Sequence, residues 1–146
     1  MAVAFGLNGT LFFSAQEVGE SGRDFVARNT ALYAVNAPGT PPRLLTDPET
    51  VDLAESDIVP FRDDHVLVRD RRRGALVLTA VSAAGRAERL TDGVTVVGGA
   101  GTAGETIVVS VSDARTAGEV AVLGADGSRR LTDFSRELRA AGVIVP

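Results

Sequence analysis

The sequence predicts an all-β protein, and three observations support this fold class. Apolar residues occur in short runs that are rich in β-branched and aromatic residues, the types that pleated strands favour. Gly, Pro, Asn and Asp separate these runs, as in the Asn8-Gly9 dipeptide, which is typical of a hairpin turn. No helical spacing of apolar residues is sustained until the C-terminal end of the chain.

A repeated motif divides the chain into three consecutive units. Arg, Leu, Thr and Asp occur in this order at residues 43–47 (with a second Leu), 89–92 and 130–133. Asp47, Asp92 and Asp133 are therefore 45 and 41 positions apart. A period in this range, with about four short strands in each repeat, is typical of a β-propeller blade. Chance repetition of one turn is the alternative, and the recurrence of strand pairs and turns in the same order argues against it.

We therefore predict an incomplete β-propeller of antiparallel, four-stranded blades over residues 1–133. Its blades, about three in number, lie at about 1–47, 48–92 and 93–133, and residues 134–146 form an exit segment. A short helix is predicted over residues 131–141, with Gly142 as its stop. Because propellers usually close with about 4–8 blades, we expect open blade edges and self-association through them, or a distorted terminal blade.

Each blade is predicted to contain strands a to d, counted from the propeller axis outward. The motif closes strand d, where its Leu is expected to pack inward and its Thr and Asp to cap the following turn. Residues 98–101 are interpreted either as small residues suited to the crowded axis or as a loop. The predicted ranges of strands a to c are 3–5, 10–13 and 31–35, then 58–61, 65–68 and 75–78, then 94–97, 106–109 and 119–123.

The first blade differs from the others between strands b and c. Roughly ten extra residues lie there, within the segment from Ser14 to Asn29. Because neighbouring strands alternate in direction, this loop shares one face of the propeller with the connections from strand d to the next strand a. Two readings stay open: the loop contacts a partner or substrate, or it is a surface insertion without a role.

Composition excludes many kinds of chemistry. The 146 residues include no Cys, no Lys and a single His. These absences exclude disulfides, thiol nucleophiles, zinc–thiolate sites, a P-loop or Schiff-base lysine and a multi-histidine metal site. The net charge of −4 argues against nucleic acid and anionic membranes as partners. The sequence shows neither a signal peptide nor an apolar stretch long enough to span a membrane, so we expect a cytoplasmic protein.

The repeated pattern resembles the propeller of the prolyl oligopeptidase family of serine peptidases, and most closely its dipeptidyl-peptidase and acylaminoacyl-peptidase branch. Residues 116–123 resemble the family's Pro-Gly-Glu-Leu-Tyr segment, and residues 126–133 its Gly-Gly-Glu-Pro-Arg-Arg-Leu-Thr-Asp close. Residues 134–138 resemble the exit from the last blade. The resemblance implies blades that cap an α/β-hydrolase domain, shield its active site and restrict substrates to short peptides. The implied partners are that hydrolase domain and the peptide substrates of the parent protein.

None of the family's catalytic residues carries over to this chain. The family's Ser, Asp and His belong to the hydrolase domain, which would begin where residues 143–146 lie. The chain has no Gly-x-Ser-x-Gly motif, since Gly19-Glu20-Ser21-Gly22 has the wrong spacing. We therefore predict no catalytic, cofactor-binding or metal-binding residues and no cofactor. The alternatives are a scaffold or binding propeller segment without an attached enzyme, and a small ligand-binding sandwich or barrel, which the repeat disfavours.

Three polar clusters remain. The basic stretch at residues 69–74 is read as a solvated hairpin turn, with phosphate or carboxylate binding as the alternative. His65 is read as an ordinary turn or strand residue, because adjacent residues such as Asp63, Asp64 and His65 do not easily converge on one metal ion. Solubility and protection of a strand edge account for the acidic residues Glu49, Asp52, Glu55 and Asp57.

Overall fold

The structure is a computed structural model that describes residues 1–24, 26–55, 57–124 and 127–143. Within these ranges the chain forms twelve strands and one short helix, so the all-β prediction is confirmed. Each third of the chain contributes four strands, and we call these groups the first, second and third unit. The strands are β1 (Val3–Phe5), β2 (Leu11–Ala15), β3 (Ala31–Val35) and β4 (Arg43–Leu44); β5 (Val59–Phe61), β6 (His65–Arg72), β7 (Ala75–Ser82) and β8 (Ala87–Arg89); and β9 (Val96–Ala103), β10 (Thr106–Asp113), β11 (Thr116–Gly124) and β12 (Gly127–Arg130).

Within each unit the four strands are antiparallel neighbours in chain order. The first unit is a sheet of its own, whereas the second and third are joined into one eight-stranded sheet. The joint is a parallel pairing of β7 with β9, at Leu76 and Val96. It forms because β8 pairs with β7 only from Thr79 to Val81, which leaves the beginning of β7 open to β9.

The long strands exceed their predicted lengths because the backbone pairing continues through polar residues. Strands β6 and β7 stay in register from His65 and Ser82 down to Arg72 and Ala75. The turn between them places Arg73 at φ 48° and Gly74 at φ 86°, a two-residue turn that matches the twist of a hairpin. The apolar runs therefore predict strands that are shorter than the observed ones.

The glycine-rich segment at residues 98–101 belongs to β9 rather than to a loop. It pairs with β10, where Gly99 lies opposite Ser110. A Cβ atom on Gly98 would lie 2.9 Å from the Ser110 hydroxyl, so glycine allows the two strands to approach closely.

The predicted C-terminal helix is shorter than expected and spans Arg136–Ala140. Residues 131 and 132 are extended instead, because Leu131 donates a hydrogen bond to the carbonyl of Val120 at 2.7 Å. Gly142 does end the helix, as predicted, with φ 70° and a bond from its N–H to the carbonyl of Arg139.

Two apolar clusters hold neighbouring units together. Cross-strand partners lie on the same face of a sheet, so the register assigns each cluster to one interface. The first cluster joins Phe12, Leu32, Ala34 and Leu45 to Val66, Val68 and Val81 of the second unit. The second joins Leu67, Leu78 and Ala80 to Val97, Ile107, Val109 and Ala121 of the third. In both interfaces one face of a unit's sheet packs against the next unit. We call this face the forward face of the unit, and the opposite face, which packs against the preceding unit, its backward face.

The Arg-Leu-Thr-Asp motif repeats one set of hydrogen bonds in all three units. In the first, the N–H of Leu45 bonds to the carbonyl of Leu32 at 2.8 Å, and the N–H of Leu32 bonds to Thr46 Oγ1 at 2.9 Å. The threonine hydroxyl therefore replaces a backbone carbonyl and extends the strand pairing. The pairs Leu90 and Thr91 with Leu78, and Leu131 and Thr132 with Val120, repeat both bonds.

The predicted roles of the motif residues need two corrections. Thr does not cap the turn; it bonds to the third strand of its unit, and the Asp caps the turn in the first and second units. The carboxylate of Asp47 accepts the N–H of Glu49 at 2.9 Å, and that of Asp92 accepts the N–H of Val94 at 3.3 Å. The Leu does not pack inward in the third unit, where Leu131 remains 48% exposed because no other described segment covers it.

Candidate functional site

The inserted segment forms a loop between β2 and β3, with residue 25 outside the described residues. Gln16 closes its base, since Nε2 donates to the carbonyl of Arg28 at 3.0 Å and to Thr30 Oγ1 at 3.2 Å. An ion pair between Arg28 and Asp24 crosses the loop. These bonds give the insertion a defined shape at the rim of the first unit.

An open cleft of about 400 Å³ lies beside this loop. Its polar lining includes three carboxylates, Glu17, Asp24 and Glu49, together with Tyr33 and Arg28. Partial burial and the neighbouring Glu17 raise the pKa of Tyr33, while the hydrogen bond and charge of Asp24 raise the pKa of Arg28. Its three carboxylates outnumber the one guanidinium, so the described lining of the cleft has a net negative charge.

His65 begins β6 and pairs with Phe61 and Ser82, so it is a strand residue. Its Nδ1 lies 2.6 Å from Asp64 Oδ1 without the geometry of a hydrogen bond. In the part of the chain that the structure describes, no group of three His, Asp or Glu side chains is placed to hold a metal ion.

The basic stretch lies on the predicted hairpin, but only Arg73 and Gly74 form its turn, and the arginines before them bind other segments. Arg69 reaches forward to the third unit, where Nη1 donates to the carbonyl of Val97 at 3.1 Å and also to that of Gly98. Arg71 Nη1 donates to Asp52 Oδ2 at 3.1 Å. Both side chains are bound to neighbouring segments because residues 69–72 continue strand β6, which runs between those segments, instead of forming a turn.

Two carboxylates in this region have structural roles that the sequence did not indicate. Asp70 is only 2% exposed, pairs with Arg72 and accepts the N–H of Asp52 at 3.1 Å. Asp52 in turn accepts the N–H of Thr30 at 3.2 Å. The acidic connection after the first motif is therefore more than a solubilising segment, because at Asp52 it ties the first unit to the second.

Glu119 is a buried carboxylate that sequence reasoning missed as a polar site. It lies on β11, is 2% exposed and accepts three hydrogen bonds. The donors are the Thr132 hydroxyl at 2.6 Å and the N–H groups of Phe134 and Ser135, each at 2.9 Å. Ser135 Oγ accepts the N–H of Ala117 at 2.9 Å. Together these bonds fix the segment that follows the third unit to the third strand of that unit.

These hydrogen bonds lower the pKa of Glu119 to about 2, the Thr132 hydroxyl contributing most and burial opposing the shift. The carboxylate is therefore ionised throughout the neutral and mildly acidic range. The repeat itself indicates that Glu119 is buried. Aligning the three units places Glu119 at the position of Ala31 and Val77, both buried, and a carboxylate at a buried apolar position needs fixed donors.

The described residues include no helix long and apolar enough to span a membrane. No protein-family model matches the chain, and no curated protein matches it. Among solved structures, it is similar to the uncomplexed acylaminoacyl peptidase of Pyrococcus horikoshii, with 16% identity and a TM-score of 0.65. The orthorhombic crystal form of that enzyme gives 15% identity and a TM-score of 0.67.

In both comparisons the match covers 90% of this chain and 19% of the peptidase chain. The likeness therefore extends over nearly all of the three units and over about one fifth of the enzyme. The resemblance to the acylaminoacyl-peptidase branch agrees with this structural likeness. The comparison shows that the chain has the fold of one part of an acylaminoacyl peptidase.

Proposed function

We propose that the chain is a non-catalytic segment of a β-propeller, with its three units as blades, in a serine hydrolase of the acylaminoacyl-peptidase type. In the parent protein it shields the active site and restricts access to short peptides. The observation that carries this proposal is the match of 90% of the chain to a part of such a peptidase.

The hydrogen bonds of the buried polar side chains support a role as a rigid barrier in front of the active site. The most deeply buried carboxylates, Asp70 and Glu119, bind backbone N–H groups and so stabilise connections between strands or units. Arg69 and Arg71 are likewise bound to neighbouring segments. Such ties hold units in fixed positions, and a fixed wall is what exclusion of large substrates by size requires.

The absence of catalysis is tested with a fluorophosphonate that reacts with activated serines. We expect the purified chain to gain no adduct by intact-mass measurement and to hydrolyse no acylated peptide, because a triad requires a nucleophile, a base and an orienting acid. An active serine hydrolase serves as the control. A one-to-one adduct on any Ser of this chain, together with hydrolysis that the reagent abolishes, would overturn the proposal.

A second candidate is a scaffold or binding segment of a propeller without an attached enzyme. The acidic cleft beside the inserted loop favours it, since Glu17 and Glu49, next to the ion-paired Asp24, offer a surface for a basic partner. The coding sequence adjoining residue 146 discriminates the two. A Gly-x-Ser-x-Gly motif within about 150 further residues, one domain's length, supports the peptidase, whereas further repeats without it support the scaffold.

A further inference from the structure

The chain ends in two uncovered sheet faces, one on the first unit and one on the third. We call them the backward face (Val3, Phe5, Phe13, Tyr33 and Leu44) and the forward face (Val108, Val120, Val122, Arg129 and Leu131). Both are largely apolar. Phe5 is 67% exposed, Val3 62% and Leu131 48%.

The register shows that the forward face repeats a surface that is buried elsewhere in the chain. Val108 pairs with Val122, as Leu67 pairs with Ala80 in the second unit. Leu67 and Ala80 are covered by the third unit and belong to the second apolar cluster. The forward face therefore has the pattern that receives another unit, and none of the described segments covers it.

The backward face repeats the opposite half of the same interface. Phe13 pairs with Tyr33, and their rings stack with centroids 5.3 Å apart. The equivalent pair in the third unit is Val109 with Ala121, which packs against the second unit. The chain thus carries both halves of one repeated interface, each at an opposite end.

The exposed area agrees with two uncovered faces. The chain exposes 8871 Å². A compact monomer of this size is expected to expose about 7,100 Å², so the excess is about 1,800 Å². This excess is comparable to the area of about 1,200–2,000 Å² that stable protein interfaces bury.

An arginine on the forward side of each end unit indicates which surface packs against which. Arg43 pairs with Ala34 on the forward side of the first unit and donates to the carbonyl of Ala83, in the turn that follows β7. Arg129 pairs with Val122 and occupies the equivalent position in the third unit. The residue is exposed, and within the described ranges its guanidinium has no hydrogen-bond or ion-pair partner. The matching turn of a first unit begins at Ala37.

We propose that a second copy of this chain docks head to tail, with the forward face of one copy on the backward face of the other. Leu131 and Val122 then pack against Phe5 and Phe13, and Arg129 reaches the turn that follows β3. This contact is proposed for the 146-residue chain by itself; in the parent protein of the proposed function, neighbouring blades would occupy both faces. It predicts a heterologous interface, in which each copy uses two different surfaces.

Light scattering on size-exclusion fractions tests the proposal with a set of variants. Wild type is expected to associate as concentration rises. Phe5→Asp blocks only the backward face and Leu131→Asp only the forward face, so each alone weakens association roughly 30-fold or more. Mixing the two in equal amounts restores a dimer, because each variant keeps the face that the other lacks. Val94→Asp is the matched control, since Val94 is 76% exposed and lies on neither face.

Three results would overturn the proposal. They are a wild type that stays monomeric up to about 1 mM, association that neither face variant weakens, and a mixture of the two variants that stays monomeric. Circular dichroism establishes that each variant is folded. If Leu131→Asp or Phe5→Asp is not folded, Arg129→Glu or Val3→Asp replaces it, because both of these side chains are exposed.

Discussion

The threonine of the repeated motif offers the sharpest test of how the units are built. In Thr46→Val the hydroxyl that accepts the N–H of Leu32 at 2.9 Å is replaced by a methyl group of similar size. Leu32 is 0% exposed, so water cannot replace the lost acceptor. An unsatisfied buried donor costs about 1–3 kcal/mol.

The added methyl group offsets part of this cost. Burying one such group contributes at most about 0.8 kcal/mol, and Thr46 is 6% exposed, so a net loss of about 1–2 kcal/mol is expected. For a chain of this length, that loss corresponds to a fall in Tm of about 2–8 °C. The matched control is Thr106→Val at an exposed position of β10, where the change should stay within about 0.5 kcal/mol.

Urea unfolding followed by circular dichroism measures the free energy of unfolding of both variants. Amide hydrogen exchange adds a local readout, since the N–H of Leu32 should exchange faster in Thr46→Val than in wild type. If Thr46→Val unfolds at the same urea concentration as wild type and the Leu32 amide exchanges no faster, the account of the motif is refuted.

Three further predictions concern buried or crowded positions. The Glu119 carboxylate, with its lowered pKa, contributes stability that is full above the unfolded value of 4.5 and lost as pH falls through about 2. Glu119→Gln should remove that acid dependence of the urea midpoint, and an unchanged profile would refute it. Gly98→Ala should cost about 1 kcal/mol more than Gly101→Ala, because only the first new Cβ meets an atom, at 2.9 Å; equal thermal midpoints would contradict this. Asp70→Ala should lower the free energy of unfolding by about 1–3 kcal/mol and the exposed Asp63→Ala by less than about 0.5, and similar values would argue against the tie.

The sequence predicted the parts of the fold that depend on local pattern. All-β character, the order of the strands and the stop at Gly142 follow from turn chemistry and apolar runs. The lengths of the strands did not follow, because β6 continues through Arg69 and Arg71, whose partners lie far away in sequence. A run of charged residues is predicted to be exposed to solvent when the partners that bind it cannot be identified from the sequence.

The polar ties were harder to predict for the same reason. Glu119 binds donors that lie 13 to 16 positions away, and only the alignment of the three units marks its position as a buried one. Leu131 occupies the position of the buried Leu45, so the repeat predicts its burial, yet it is 48% exposed. Its exposure depends on what packs against the third unit, which no local pattern reports.

The central claim is that three equivalent units share one hydrogen-bonded design, and residue-resolved amide exchange tests it most directly. The N–H groups of Leu32, Leu78 and Val120 each bond to a motif threonine at 2.9 Å. All three are predicted to exchange at least roughly 100-fold more slowly than in the unfolded chain. Protection of Leu32 and Leu78 with unprotected exchange at Val120 would contradict the claim, because the third unit would then lack the design of the other two.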